Sequence, residues 1–167
     1  MFDLKAQIRS VPDFPKPGIL FRDIAPLLRD HFGATIDALS GLLSEAQWAG
    51  IEAIAGIESR GFILAAALAA RHHKGFVLIR KQGKLPPPVV SAPYALEYGS
   101  GILEIQQGHG RLLLVDDVLA TGGTLQASAS LSVSAGYEVA HLIVLIDLKL
   151  VPDFRWQGHS ILTAIEY

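Results

Sequence analysis

The sequence predicts a single α/β domain in which a mostly parallel sheet is flanked by helices. The chain has 167 residues, which suits one domain, and 50% of them are hydrophobic, which is enough for a substantial core. Near-uniformly apolar segments with the length of strands alternate along the chain with segments of helical periodicity. Strands of this composition are typical of a parallel sheet that helices cover on both faces.

The elements of this predicted sheet follow one another between residues 32 and 148. A helix is expected from Phe32, because Ile36, Leu39 and Leu43 keep helical spacing. The elements expected after it are a strand at 51–57, a helix at 61–73, and strands at 76–80 and 111–116, then a helix at 124–136 and a strand at 138–148.

Three segments depart from this alternation. Residues 2–9 are expected to form a short amphipathic helix. The proline-rich residues 11–23 are expected to form an ordered loop or a surface arm, because proline disfavours regular elements. Residues 81–110 contain three consecutive prolines and then the loosely alternating YALEYGSGILEIQ, which predicts a hairpin or a mobile flap. A long excursion of this kind in a compact domain is commonly functional.

The composition excludes several classes of function. The chain has no cysteine, which rules out disulfides, thiolate zinc sites and a cysteine nucleophile. A net charge of −2 without any basic block gives no indication of nucleic-acid binding. The longest apolar run, FILAAALAA, is far shorter than the ~20 residues of a membrane span, so no membrane partner is expected. The first ten residues lack an apolar signal core, which predicts a cytoplasmic protein. Because the charge gives no indication of nucleic acid, a small-molecule ligand is expected.

The stretch RLLLVDDVLATGGT at 111–124 carries the strongest functional signal. Asp116 and Asp117 follow an apolar strand, and ligands of open α/β sheets bind at the carboxyl ends of the strands. Two ionised carboxylates accept hydrogen bonds, so the pair suits two neighbouring hydroxyls such as the 2′ and 3′ positions of a ribose. The alternative interpretation is a solvated strand end that an ordinary turn follows.

The turn after the acid pair predicts a phosphate site. Its sequence ATGGT offers unobstructed backbone N–H groups, two threonine hydroxyls and the start of a helix. It lacks the lysine of the GxxxxGK[ST] loop, and the chain contains no GxGxxG, so neither of those nucleotide-binding loops is indicated. One ligand, a ribose 5-phosphate, suits both halves of the stretch. The residues expected to bind it are Asp116, Asp117, Ala120, Thr121, Gly122, Gly123 and Thr124.

The chain resembles the type I phosphoribosyltransferases, and most closely their adenine-specific members, across about residues 8–126. The blocks that carry the resemblance, in order, are PDFPKPGILFRDIAPLL, AGIESRGF, LIRKQGKLP, YALEYGSGILEIQ and RLLLVDDVLATGGT. The resemblance implies one domain over residues 1–167, with a base-binding hood at 1–30 and a flexible flap at 81–110. It also implies a homodimer that transfers ribose 5-phosphate from phosphoribosyl pyrophosphate to adenine, forming AMP and pyrophosphate. Mg²⁺ is the implied cofactor, held mainly by substrate oxygens and water.

The same resemblance implies roles for residues outside the ribose 5-phosphate site. Arg60 and Glu97 are the implied catalytic residues, with Glu97 managing a proton on the purine. The residues implied for pyrophosphate are Glu58, Ser59, Arg60, Arg80, Lys81 and Lys84. The family often has a strained non-proline peptide bond in this loop, here between Glu58 and Ser59. The residues implied for the base are Leu20, Phe21, Arg22 and Tyr98, with Phe21 as a hydrophobic clamp.

From the residues alone, other interpretations stay open. Glu58 and Arg60 also suit a surface ion pair, the basic cluster suits a solvated surface, Phe21 suits the core, and Glu97 suits an exposed flap. Two other functions also remain. One is the same chemistry on hypoxanthine, xanthine or orotate, and the other is a non-catalytic protein that binds phosphoribosyl pyrophosphate and regulates a partner.

Overall fold

The computed structural model describes residues 3–96 and 99–167. The helices are α1 (Ala25–Asp30), α2 (Phe32–Ser40), α3 (Glu45–Ala49), α4 (Arg60–Arg71) and α5 (Gly123–Ser134). The first five strands are β1 (Arg9–Pro12), β2 (Leu20–Asp23), β3 (Ala53–Ile57), β4 (Gly75–Lys81) and β5 (Val89–Leu96). The others are β6 (Gly99–Gln106), β7 (Arg111–Leu119), β8 (Glu138–Asp147), β9 (Arg155–Trp156) and β10 (His159–Glu166).

An eight-stranded sheet forms the centre of the domain, in the order β5-β6-β4-β3-β7-β8-β10-β9. The inner strands β4, β3, β7, β8 and β10 are parallel to one another. At one edge β6 and β5 run antiparallel, and at the other β9 does. The predicted α/β class and the mostly parallel sheet are therefore confirmed. No helix among residues 3–96 and 99–167 is long and apolar enough to cross a membrane.

Successive residues of the central strands face two separate cores, one on each side of the sheet. In β3, Ile54 packs towards α2 and α4, whereas Ala55 packs towards α5 and the β5–β6 hairpin. In β7, Leu113 faces the same core as Ile54, and Leu114 faces the same core as Ala55. This alternation explains why the strand sequences are apolar at nearly every position, because both faces of the sheet are covered.

The excursion at residues 81–110 is a hairpin of β5 and β6, as the loose alternation predicts. The two strands pair over eight residues each, and β6 also pairs with the end of β4. The segment therefore extends the sheet past its parallel part, and α5 packs against the hairpin. The hairpin prediction is confirmed.

The N-terminal predictions were wrong. Residues 5–7 form one 3-10 turn instead of a longer helix, and β1 begins at Arg9. The proline-rich segment, expected to lack regular structure, contributes β1 and β2 to a two-stranded antiparallel ribbon. Pairing between the two strands outweighs the helical pattern of residues 2–9. Pro12 is tolerated because it ends its strand, where a missing N–H costs little.

The C-terminal side of the chain differs from the prediction in two ways. The strand expected at 111–116 continues to Leu119, so Asp116 and Asp117 lie inside β7 instead of after it. The reason is that β8 pairs with β7 through Leu119, whereas β3 pairs with it only as far as Val115. Strands β9 and β10, at residues 155–166, were not predicted, and β10 completes the parallel part of the sheet beside β8.

Candidate active site

A cavity of about 1040 Å³ lies over the carboxyl ends of β3 and β7 and is the main candidate site. Most of the residues expected from the sequence to contact substrate line this cavity. They are Leu20, Phe21, Arg22, Glu58, Ser59, Arg60, Lys81, Asp116, Asp117, Ala120, Thr121, Gly122 and Thr124. Arg80, Lys84 and Gly123 do not line it, and Glu97 and Tyr98 lie outside the described residues.

The acid pair lies where β7 extends past β3. Asp117 is 7% exposed, and its backbone N–H donates to Oδ1 of Asp116 at 2.9 Å. Burial and the neighbouring charge of Asp117 raise the pKa of Asp116 well above its usual value. Burial also raises the pKa of Asp117, although the positive charge of Arg60 opposes that shift. Two carboxylates are thus held side by side at the cavity wall, with Asp117 buried and Asp116 half-buried.

Arg60 is the cation that faces this pair. Its Nε lies 2.7 Å from Oδ2 of Asp117, which makes an ion pair, but the orientation is not that of a hydrogen bond. Oδ2 is sealed from solvent and has no hydrogen-bond partner among the described residues. A buried carboxylate oxygen of this kind normally has a hydrogen-bond donor, and the Arg60 Nε at 2.7 Å is placed to become one after a small rotation.

The loop from Glu58 to Gly61 brings Arg60 to the acid pair. The peptide bond between Glu58 and Ser59 is cis, at the position where the resemblance implied an unusual bond. Helix α4 begins at Arg60, and a Cβ at Gly61 would lie 2.9 Å from the carbonyl oxygen of Val115. Only glycine permits this approach, because any side chain would push α4 away from β7.

A second helix start lies on the other side of the acid pair. Gly122 caps the 12-residue helix α5 with a positive φ of 83°, a conformation that glycine adopts at little cost. The first amides of α5 have no partner within the helix, and the helix dipole adds positive potential there. Thr121 and Thr124 line the cavity beside these amides. The turn therefore has the geometry of a phosphate site, as its sequence predicts.

We call the part of the cavity wall around Phe21 the base side, because the family resemblance implies that the base binds there, and both ends of the chain contribute to it. The ring centroids of Phe21 and Phe14 lie 5.1 Å apart, and the Arg60 guanidinium lies 5.0 Å from the Phe21 ring. Leu148 and Tyr167 line the cavity on the same side. The guanidinium of Arg22 stacks 3.8 Å from the Tyr167 ring, which ties the β1–β2 ribbon to the residue that follows β10.

The basic cluster at the end of β4 is anchored by Glu58. The Arg80 Nε donates to Oε2 of Glu58 at 3.2 Å, and the Lys81 backbone N–H donates to the same oxygen at 3.0 Å. Glu58 thus pairs with Arg80 instead of forming a surface ion pair with Arg60. Arg80 is directed to Glu58 and to the Lys84 carbonyl, whereas Lys81 lines the cavity.

A buried carboxylate of β6 holds the loop that carries Lys84. Glu104 is 3% exposed and accepts hydrogen bonds from the backbone N–H groups of three successive residues, Gly83, Lys84 and Leu85. Burial raises the pKa of Glu104, but these three donors outweigh it and hold the pKa below its usual value. The loop after β4 is therefore fixed by its backbone, and Lys84 is held at a defined place outside the cavity wall.

Residues 28–153 match the family model described as the phosphoribosyl transferase domain, which is most of the chain. The chain belongs to this family. It is 51% identical over 165 residues to the adenine phosphoribosyltransferase of Hydrogenovibrio crunogenus, covering 98% of this chain and 96% of that relative.

Solved structures of adenine phosphoribosyltransferases share the fold. The enzyme of Thermoanaerobacter pseudethanolicus superimposes with a TM-score of 0.86 at 41% identity, over 98% of each chain. The Saccharomyces cerevisiae enzyme, solved with adenine and an imino-altritol bisphosphate, gives a TM-score of 0.85 at 34% identity, over 96% of each chain. The sheet order and the flap hairpin described above are thus those of a phosphoribosyltransferase.

Sequence reasoning missed several residues of this phosphoribosyltransferase cavity. Tyr94 and Leu103 come from the flap hairpin, and Leu148, Leu150 and Tyr167 come from the segments after β8. Leu150 could have been found from the sequence, because it is an isolated large apolar residue in a loop, and it is 60% exposed in the structure. The others depend on strand register and on the position of β10, which local pattern does not give.

The raised pKa of Asp116 predicts that this carboxylate lowers stability at neutral pH. Its pKa is higher in the folded state than the unfolded value of about 3.9, so the folded state loses stability as pH rises through that interval. We expect Asp116→Asn to raise the free energy of unfolding by about 0.5–2 kcal/mol at pH 8. The gain should shrink towards pH 4, and binding of phosphoribosyl pyrophosphate should weaken.

Denaturant unfolding at pH 4 and pH 8 measures this difference. Asp153→Asn is the matched control, since Asp153 is exposed and lies outside the cavity wall, and its stability should change little at either pH. A variant at position 116 that is less stable than the native chain at pH 8 would contradict the prediction.

Proposed function

We propose that this chain transfers ribose 5-phosphate from phosphoribosyl pyrophosphate to adenine, forming AMP and pyrophosphate. The observation that carries the proposal is the single cavity wall that joins the acid pair of β7, the phosphate turn and Arg60. The relative from Hydrogenovibrio crunogenus, named as adenine phosphoribosyltransferase, matches 98% of the chain and supports adenine as the base. The roles below follow from the contacts of each group.

The ribose 5-phosphate is held between the two helix starts. Asp116 and Asp117 accept hydrogen bonds from the 2′ and 3′ hydroxyls, because both residues line the cavity. The backbone amides at the start of α5 and the hydroxyls of Thr121 and Thr124 donate to the 5-phosphate. Holding the sugar at both ends places its anomeric carbon between Arg60 and the base side.

The diphosphate leaves towards the Glu58–Gly61 loop and Lys81. As the bond between the anomeric carbon and the diphosphate oxygen breaks, negative charge grows on the leaving group and positive charge on the ribose ring. The Arg60 guanidinium and the Lys81 ammonium face the former, and the acid pair faces the latter. Because Glu58 holds Arg80 and the Lys81 backbone, the cations are positioned before the charge develops.

Magnesium suits this arrangement as a companion of the substrate. Among the described residues, no group of three or more His, Cys, Asp or Glu side chains is arranged to hold a metal ion. Mg²⁺ retains several waters and binds through phosphates and one or two carboxylates, and the cavity offers Asp116 and Asp117 for the second purpose. When bound, the ion would neutralise charge on the diphosphate.

Adenine is expected against Phe21, on the base side of the cavity. One ring nitrogen of adenine bonds to the anomeric carbon, and the proton of the base must be accepted as that bond forms. The family resemblance assigns this task to Glu97, with Tyr98 closing over the base. We propose a cytoplasmic location for this reaction, because its phosphorylated substrate and product do not cross membranes unaided.

The first test measures pyrophosphate release from phosphoribosyl pyrophosphate and Mg²⁺ with adenine, guanine, hypoxanthine, xanthine and orotate in parallel. We expect release with adenine, together with formation of AMP, and background release with the other bases. Release with another base instead would keep the chemistry and overturn the choice of base. Binding of phosphoribosyl pyrophosphate without release from any base would favour the regulator.

Glu97→Gln separates proton transfer from binding. If Glu97 accepts the proton, the amide should lower kcat by about 10² to 10⁴ and leave the KM for phosphoribosyl pyrophosphate nearly unchanged. Asp117→Asn should instead abolish binding of that substrate, and Glu45→Gln, at an exposed acid on α3, should match the native enzyme. Full activity in Glu97→Gln would refute the assignment, and steady-state kinetics decides it.

We further propose that the chain forms a homodimer through α4 and β4. Ile63 and Phe76 are 44% and 40% exposed, and the Phe62 ring packs edge-on against Phe76 with the centroids 6.1 Å apart. Large apolar side chains grouped on one surface favour association with a partner. The surface adjoins Arg80, whose guanidinium lies 5.8 Å from the Phe62 ring.

Light scattering of the purified chain tests the homodimer. The native chain should have twice its mass of 17.9 kDa. Phe76→Glu should shift it towards the monomer, because a buried unpaired charge opposes association. Val133→Glu, at an exposed valine on α5, is the matched control and should remain dimeric. A monomeric native chain at micromolar concentration would contradict the proposal.

A further inference from the structure

Tyr94, in the flap strand β5, has a hydroxyl that the fold does not use. The side chain is 7% exposed and lines the cavity, so its remaining accessible surface opens there. The hydroxyl makes no hydrogen bond to any part of the chain that the structure describes. It is not fully closed off from solvent, so a molecule in the cavity can reach it. Buried tyrosine hydroxyls normally have a partner, so this donor is available to a molecule in the cavity.

The ring that carries this hydroxyl is fixed by its neighbour on β6. Tyr94 is paired with Gly101 across the hairpin, and a Cβ on that glycine would lie 2.5 Å from Cε1 of the ring. The ring therefore fills the space that a side chain at position 101 would occupy. It also packs in the same buried cluster as Ile57 and Leu103. The hydroxyl is thus held at a defined position instead of turning freely.

The ring lies close to the start of the Glu58–Gly61 loop, because it packs in the same cluster as Ile57. Glu58 lies near enough for its charge, together with burial, to raise the pKa of Tyr94, so the phenol stays protonated and can donate. Glu58 itself is engaged by Arg80 and by the backbone of Lys81. Lys81 lines the same cavity, so one ligand with several anionic oxygens can be contacted by both residues.

We propose that Tyr94 is a further substrate-binding residue, whose hydroxyl donates a hydrogen bond to a diphosphate oxygen of phosphoribosyl pyrophosphate. The proposal rests on the proposed function and adds a donor from the flap to those of the Glu58–Gly61 loop. The diphosphate is the acceptor because Tyr94 packs in the same cluster as Ile57, the residue directly before the Glu58–Gly61 loop towards which the diphosphate is proposed to leave. The flap hairpin thereby contacts the leaving group directly.

Tyr94→Phe tests this role, because it removes the hydroxyl and keeps the ring over Gly101. Calorimetric titration with pyrophosphate in Mg²⁺ buffer should show affinity weaker by about tenfold, the range for a hydrogen bond to a charged group. Titration with ribose 5-phosphate and with adenine should match the native chain. The control is Tyr137→Phe, since Tyr137 is another partly buried tyrosine, packs against Gly108 and lies outside this cavity. Its three affinities should not change.

Three results would overturn the proposal. Pyrophosphate affinity within twofold of the native value means that the hydroxyl makes no contact. A loss for ribose 5-phosphate alone places the contact at the 5-phosphate. Equal losses for all ligands, or a lower melting temperature, mean a packing role. If the native chain fails to make AMP in the assay above, the proposed function itself is wrong. If the native chain makes AMP, a negative result with Tyr94→Phe contradicts only the role of Tyr94.

A second variant keeps the test sharp. Gly101→Ala puts a methyl group where the ring now lies, so the ring must move and the hydroxyl with it. We expect Gly101→Ala to weaken pyrophosphate binding, and Tyr94→Phe to cost nothing more in that background. A full additional loss in the double variant would show that the hydroxyl acts independently of the ring position and would contradict the proposal.

Discussion

The position of two adjacent carboxylates inside β7, one buried and one half-buried, is the constraint on which the rest of the site depends. Asp116 and Asp117 remain in the strand because β8 pairs beyond the end of β3, so their charges are held next to each other at the cavity wall. Burial raises both pKa values, and this cost is offset by the nearby positive charge of Arg60. That cation reaches the pair only because α4 begins close to β7, at Gly61.

The same principle extends outward, since other carboxylates hold the remaining cations. Glu58 accepts from Arg80 and from the backbone of Lys81, and Glu104 accepts from three backbone amides of the loop after β4. Arg80 thereby supports the loop, while Lys81 faces the cavity. Groups held in this way need little reorganisation when the diphosphate acquires charge, which is the main source of electrostatic catalysis.

The sequence predicts the regular part of this fold well and the irregular part poorly. Apolar runs mark β3, β7 and β8 because both faces of these strands are buried. In contrast, β10 has one buried residue among mostly half-buried ones, so its pattern resembles a surface segment. The β1–β2 ribbon was missed because pairing between distant residues decides it. Tyr94 was missed because its role depends on its register with Gly101.

The elements that the sequence predicts well and those that it predicts poorly build different parts of the cavity. The ribose 5-phosphate site stands on β7 and on the starts of α4 and α5, the elements whose sequence patterns are strongest. The base side is made from the β1–β2 ribbon and the segments after β8, joined by the stacking of Arg22 on Tyr167. These segments are separate from β7 and from the starts of α4 and α5, so substitution of their cavity-facing residues leaves those elements in place. Specificity for the base can therefore change while the phosphoribosyl site stays fixed.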